Sequence, residues 1–174
     1  MFVCVSDVTA EKEAQNAMLE SRRLYEAAVE EARLVVWEYD IPRCRVTMAD
    51  HSFTSYDHRK FGLPKVIDNV PDSLVPYIDP ADTDAFLGMY RALEAGAQHA
   101  SCDVWYKLVP GQEPRCEHIS YTVVASENGR PLRAFGIGQN VTAQKLESEK
   151  YARAYRQLAD AHPYTQGRFH LNLT

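Results

Sequence analysis

The chain has 174 residues, 45% of them hydrophobic, and a formal net charge of −5, which suits one domain of ordinary size plus connecting segments. No stretch reaches the about 18 apolar residues of a membrane span, and an acidic balance without a basic run argues against nucleic acid as a direct partner. The opening Met1–Val5 is too short for a signal peptide, and Cys4, Cys44, Cys102 and Cys116 show no CxxC spacing, so the expectation is a cytoplasmic protein with reduced thiols.

Residues Thr9 to Ala32 contain no Gly or Pro and read as a helix, with Glu11 in the first turn where the macrodipole favours an acid. Ala14, Met18, Leu24, Tyr25, Ala28 and Ala32 fall near three-four spacing, which fits either a solvated amphipathic helix on its own domain or a modest coiled-coil seam. Leu34 to Asp40 reads as a strand with Trp37 and Tyr39 on one face and Val36 and Glu38 on the other. Cys44 to Met48 gives a second, short strand. Ser52 to Phe61 is polar and helical in part, ended by Gly62 and Pro64, and Pro71-Asp72 and Asp79-Pro80 look like helix starts. The clearest core helix is Asp82 to Ala95, where Phe86, Met89, Tyr90 and Leu93 share a face and Gly96 ends the run. Three strands follow, Ala100 to Val109, Arg115 to Ala125 and Leu132 to Val141, separated by Pro110-Gly111 and Asn128-Gly129 turns. Two strands, short helices, a longer helix and a three-strand meander make an α+β domain, with helices gathered on one face of an antiparallel sheet.

The last strand runs directly into a polar helix at Asn140-Val141-Thr142, with Thr142 in N-cap position. The same pattern stands at the start of the chain: Val8, Thr9, Ala10 and Lys12 match Val141, Thr142, Ala143 and Lys145, a domain's length apart. Trp37-Glu38-Tyr39-Asp40, the strand Asp103 to Lys107, and Gly129-Arg130-Pro131 ahead of Phe135-Gly136-Ile137-Gly138 together resemble a PAS domain. Asn140-Val141-Thr142 resembles that family's Asp-x-Thr junction between last strand and signalling helix. The earlier copy, Asp7-Val8-Thr9, keeps the acid. Asn140 in place of the junction acid, and Cys116 where the family often has Trp, are departures.

The resemblance implies a PAS fold with a five-stranded antiparallel sheet, flanked by N- and C-terminal connecting helices. It divides the chain into the last strand of a preceding PAS module (1–8), a connecting helix (9–33), the PAS domain (34–142), a C-terminal signalling helix (143–161) and the start of a following module (162–174). It implies a non-catalytic sensory and dimerisation module of a signal-transduction protein, with neighbouring PAS domains and an output domain, a diguanylate cyclase or histidine kinase, outside this sequence. Asn140, Thr142, Asp7 and Thr9 would form the signalling junctions.

Strand parity turns Trp37, Tyr39, Val104, Tyr106, Glu117, Ile119, Tyr121, Gly136 and Gly138 toward the core. Two glycines on a central strand leave side-chain room for a cavity, and Glu117 beside Tyr106 and Tyr121 would orient a small molecule. The competing reading is a ligand-free spacer and dimerisation module, whose core the aromatic rings fill. On the opposite face Trp105, Phe135 and Ile137 make an apolar patch that needs a cover, expected to be a connecting helix of the same or a partner chain in a homodimer. No cofactor is expected. The Asn-Cys-Arg-Phe motif of flavin-binding PAS domains is absent, Asp82 to Ala95 offers no histidine to a haem, and no His or Cys spacing suits a metal. Asp79, Asp82 and Asp84 fit a helix N-terminus without one. No G-x-S-x-G elbow or complete Gly-rich nucleotide loop is present.

Overall fold

A computed structural model describes residues 8–50, 64–107, 111 and 113–161, and the chain divides into two units, Met1–Asn140 and Val141–Thr174. In the first unit β1 (Leu34–Asp40), β2 (Arg45–Met48), β3 (Val66–Ile67), β4 (His99–Tyr106), β5 (Arg115–Glu127) and β6 (Arg130–Asn140) form one sheet. The strand order is β3-β2-β1-β6-β5-β4, every pairing antiparallel. The expected α+β arrangement holds with one strand more than the five foreseen. The extra one, β3, has two residues and pairs with Val46 and Thr47, too short to carry a period-two pattern. Ser52 to Phe61, read as partly helical, and Val109 lie outside the described residues.

Local chemistry accounts for the turns. Asn128 and Gly129 both have positive φ, 50° and 77°, the two-residue geometry whose twist suits a tight hairpin, and they join β5 to β6. Helix α1 (Val8–Glu31) precedes β1, α2 (Thr83–Glu94) precedes β4, and a single 3-10 turn spans Val75–Tyr77. The expected helix starts at Pro71 and Asp79 are this turn and the approach to α2. Phe86, Met89, Tyr90 and Leu93 are the buried stripe of α2, and Gly96 at φ 103° ends the helix. At the other end the Asp82 carboxylate caps no helix N–H. Its Oδ2 instead accepts from the Trp105 backbone N–H at 2.7 Å, pinning α2 to β4.

The core lies on the inner face of the sheet, where Val35, Trp37 and Tyr39 of β1, Val46 and Met48 of β2, Val104, Tyr121 and Ala134 meet the α2 stripe and Val70. Losing one such side chain, Leu93 for instance, would cost about 2–5 kcal/mol. The segment before α2 also stitches itself to the outer edge of β4. Ile78 bridges Tyr106, Asp79 N–H donates to Trp105 O at 2.8 Å, and Lys107 N–H donates to Tyr77 O at 2.9 Å. That end of the edge strand is therefore paired rather than open. On the opposite face Val29 of α1 is 5% exposed and Tyr25 packs its ring 6.5 Å from that of Phe135. Nearer the helix start Met18 and Leu24 stand 76% and 68% exposed.

In the second unit α3 spans Thr142–Ala161, and Lys145 N–H donates to Val141 O at 2.9 Å. Val141 thus holds the first half-helical position expected of Thr142, a shift of one residue. Leu146, Tyr151, Tyr155 and Leu158 of this helix are exposed. Among the described residues no helix is long and apolar enough to cross a membrane.

Candidate functional site

The centre of the sheet is organised by one exchange of volume. Trp37 pairs with Gly136 across β1 and β6, and its indole lies over both glycines of β6. A Cβ at Gly136 would fall within 2.7 Å of Trp37 Cδ1 and closer still to Nε1, and one at Gly138 within 2.9 Å of Cζ3. The room expected from these two glycines is therefore taken up by the indole and, at Gly138, by the Glu117 carboxylate. Neither glycine lines the cavity that opens beside this pair. Tyr39 departs from expectation in the same way: fully buried, it stacks edge-on with Tyr90 at 5.3 Å and its hydroxyl faces Val70 O at 3.4 Å.

The indole Nε1–H donates to the Tyr121 hydroxyl at 2.9 Å, and the Tyr121 and Tyr90 hydroxyls share a hydrogen bond of 2.9 Å. Burial pushes the Tyr121 phenol up to about 12, against the opposing pull of its Tyr90 and Trp37 hydrogen bonds, so the network is neutral at physiological pH. Each of these buried polar atoms is satisfied within the wall itself.

Beside this network a cavity of about 110 Å3 opens between sheet and cover. Val35 and Trp37 of β1, Val46 and Met48 of β2, Val104 and Tyr106 of β4, and Glu117, Ile119 and Tyr121 of β5 form its floor. Ile67, Leu74, Tyr77, Ile78, Phe86 and Tyr90 form the rest. Six of the nine expected residues, Trp37, Val104, Tyr106, Glu117, Ile119 and Tyr121, come together here; Tyr39, Gly136 and Gly138 do not. Parity along β2 would have added Val46 and Met48. Phe86 and Tyr90 were legible only as core, and Leu74 to Ile78 carry no periodic signal at all.

Among the described residues Glu117, half-buried, is the one charged residue on this wall. Burial raises its carboxyl to about 7, opposed by the hydrogen bond from Tyr106 and, more weakly, by the charge of Arg115. Its register partners are Val104 on β4 and Asn140, the last residue of β6. The site thus offers an acceptor that changes charge near neutrality, in an otherwise apolar chamber.

Other expected positions are placed as follows. Trp105 and Ile137 are half-buried on the outer face, and Phe135 beside them is met by Tyr25 of the same chain. Asn140 ends β6 and Thr142 opens α3, Thr9 lies in α1, and Asp7 is outside the described residues. His118 pairs with Asp103 at 2.6 Å and His99 with Thr122 at 3.3 Å. Asp79 accepts from Ala81 N–H at 2.9 Å. Cys44, Cys102 and Cys116 take part in no disulfide among the described residues.

No family model matches the sequence, and no curated protein matches it. Solved structures do. A sensory box histidine kinase/response regulator from Burkholderia thailandensis superposes with a TM-score of 0.63 at 16% identity, over 78% of this chain and 98% of that one. The N-terminal domain of a diguanylate cyclase with PAS/PAC sensor from Marinobacter aquaeolei gives 0.50 at 10% identity, over 64% and 98%. Likeness at such identities speaks for the fold, and the fold is that of PAS domains.

Proposed function

We propose that this chain is a non-catalytic sensory PAS module that binds a small molecule in the cavity beside Glu117 and passes the consequence to α3 and a downstream output domain. The observation that carries the reading is a single carboxyl, held near neutrality in its titration, facing an otherwise apolar chamber. Such a group is costly to bury without a task or a partner. Glu117 lies across Gly138 and opposite Asn140, so a ligand that draws the carboxylate inward acts on the strand end from which α3 follows. Diguanylate cyclases and histidine kinases, the kinds of protein that carry the structural neighbours, are the proposed outputs. Exposed Met18 and Leu24 on α1 support a homodimer seam with a second copy. Native mass spectrometry of the purified protein, followed by a thermal-shift screen, tests the ligand. A bound small molecule or a stabilising hit lost on Glu117→Gln supports the proposal.

A second reading, a ligand-free spacer and dimerisation module, is favoured by the way Trp37 occupies the glycine room and closes the chamber on that side. A screen silent across common metabolites, with unchanged stability on filling the cavity by Val104→Leu, would support it.

A further inference from the structure

We infer that the ligand of this cavity is a small organic cation, an alkylammonium or similarly sized amine, held by the Glu117 carboxylate within a ring of aromatic side chains. The inference rests on the ligand reading above and narrows it to a chemical class. Trp37, Phe86, Tyr90, Tyr106 and Tyr121 all contribute to the wall, and no described lining residue is basic. Aromatic rings attract a cation through their quadrupole, most strongly where water is excluded. An anion meets no counter-charge on the described wall and would face the carboxylate. A neutral ligand would leave that carboxylate with the charge of Arg115 alone, the weakest of the influences on its titration.

The remaining polar groups narrow the choice further. Trp37, Tyr90 and Tyr121 hydrogen-bond one another, and Tyr106 hydrogen-bonds Glu117, so a ligand's donor has the carboxylate as its natural acceptor. An ammonium meets this with both charge and hydrogen bonds. The volume of about 110 Å3 lies below the roughly 150 Å3 of an apolar cavity that accepts benzene, which sets the scale at a few carbon atoms beyond the nitrogen.

Binding is tested by NMR titration of the whole chain at pH 8 with n-butylamine, n-butanol and butyrate, three probes of matched length. The expected result is a Kd for butylammonium at least tenfold below that of butanol, with no binding of butyrate. Amide shifts should concentrate at Tyr106, Glu117 and Ile119. Glu117→Gln should remove the preference, bringing amine and alcohol within about twofold. Equal binding of amine and alcohol to the unaltered chain, or a preference for butyrate, overturns the cation inference and leaves a ligand-binding cavity. Binding of none of the three overturns the inference and the ligand reading together.

Discussion

Replacing Glu117 by glutamine should make the protein more stable, and by an amount that grows with pH. The carboxyl titrates near 7 in the folded chain against an ordinary 4.5, and each unit of that displacement is about 1.4 kcal/mol. Below pH 4.5 both folded and unfolded chains hold the proton and the group costs nothing. As pH rises, the unfolded chain ionises first and gains stability that the fold lacks, until above pH 7 a penalty of up to about 3 kcal/mol stands. Glutamine keeps the acceptor for Tyr106 and abolishes the charge. Urea unfolding of both proteins from pH 5 to pH 8 should show the variant ahead by at most about 1 kcal/mol at the low end and by up to about 3 kcal/mol at the high end. Because every other titrating group is common to the two proteins, the growth of the gap belongs to position 117. A gap that stays constant, or one that favours the wild type as pH rises, would show that the carboxyl is not held in an apolar chamber.

Gly136→Ala should destabilise the fold by about 1–3 kcal/mol in denaturant titrations, since its Cβ collides with the indole. Gly88→Ala, where the added carbon meets nothing nearer than Arg91 Nη2 at 3.8 Å, should stabilise α2 by about 0.5–1 kcal/mol. Tyr121→Phe strips the hydroxyl shared by Trp37 and Tyr90 and should cost about 2 kcal/mol. Tyr39→Phe loses a 3.4 Å contact with Val70 O and a hydrogen bond with Cys44 and should cost about 1 kcal/mol by the same measurement. Leu24→Glu, on an exposed position of α1, should leave the thermal transition unchanged and convert a dimer to a monomer in sedimentation. An unaltered dimer would remove α1 from the interface.

Much of the architecture was legible because the strands are long enough to show their parity. Trp37-Glu38-Tyr39-Asp40 alternates after an apolar run, so Trp37 and Tyr39 could be assigned to the core face, and the meander followed from Asn128-Gly129. The stripe Phe86, Met89, Tyr90, Leu93 announced α2 in the same way. What parity could not show was depth. It turned Tyr39, Gly136 and Gly138 inward correctly, yet gave no means of knowing that the indole would lie over both glycines, a matter of side-chain direction rather than period. Glu117 stood out as a polar residue on an apolar face, which is why the cavity wall was partly foreseen. Leu74 to Ile78 line it from irregular backbone, and irregular backbone carries no repeating signal. On α1, the apolar spacing drew attention to Met18 and Leu24, whereas the residue that is buried is Val29; which side of a weakly amphipathic helix meets the sheet is decided by the partner surface.

The indole of Trp37 and the bare backbone opposite it have a consequence for how the molecule can vary. A wide ring on one strand is accommodated by absent side chains on its neighbour, so positions 37, 136 and 138 form a single spatial allowance distributed over two stretches of chain far apart in sequence. Related chains that acquire a methyl or larger group at 136 should carry a smaller residue at 37, and the reverse pairing should restore packing where either change alone fails. Double-mutant cycles between the two strands should show coupling of either sign of about 0.5–3 kcal/mol. Widening one strand while trimming the other is accordingly the route by which this chamber would be resized.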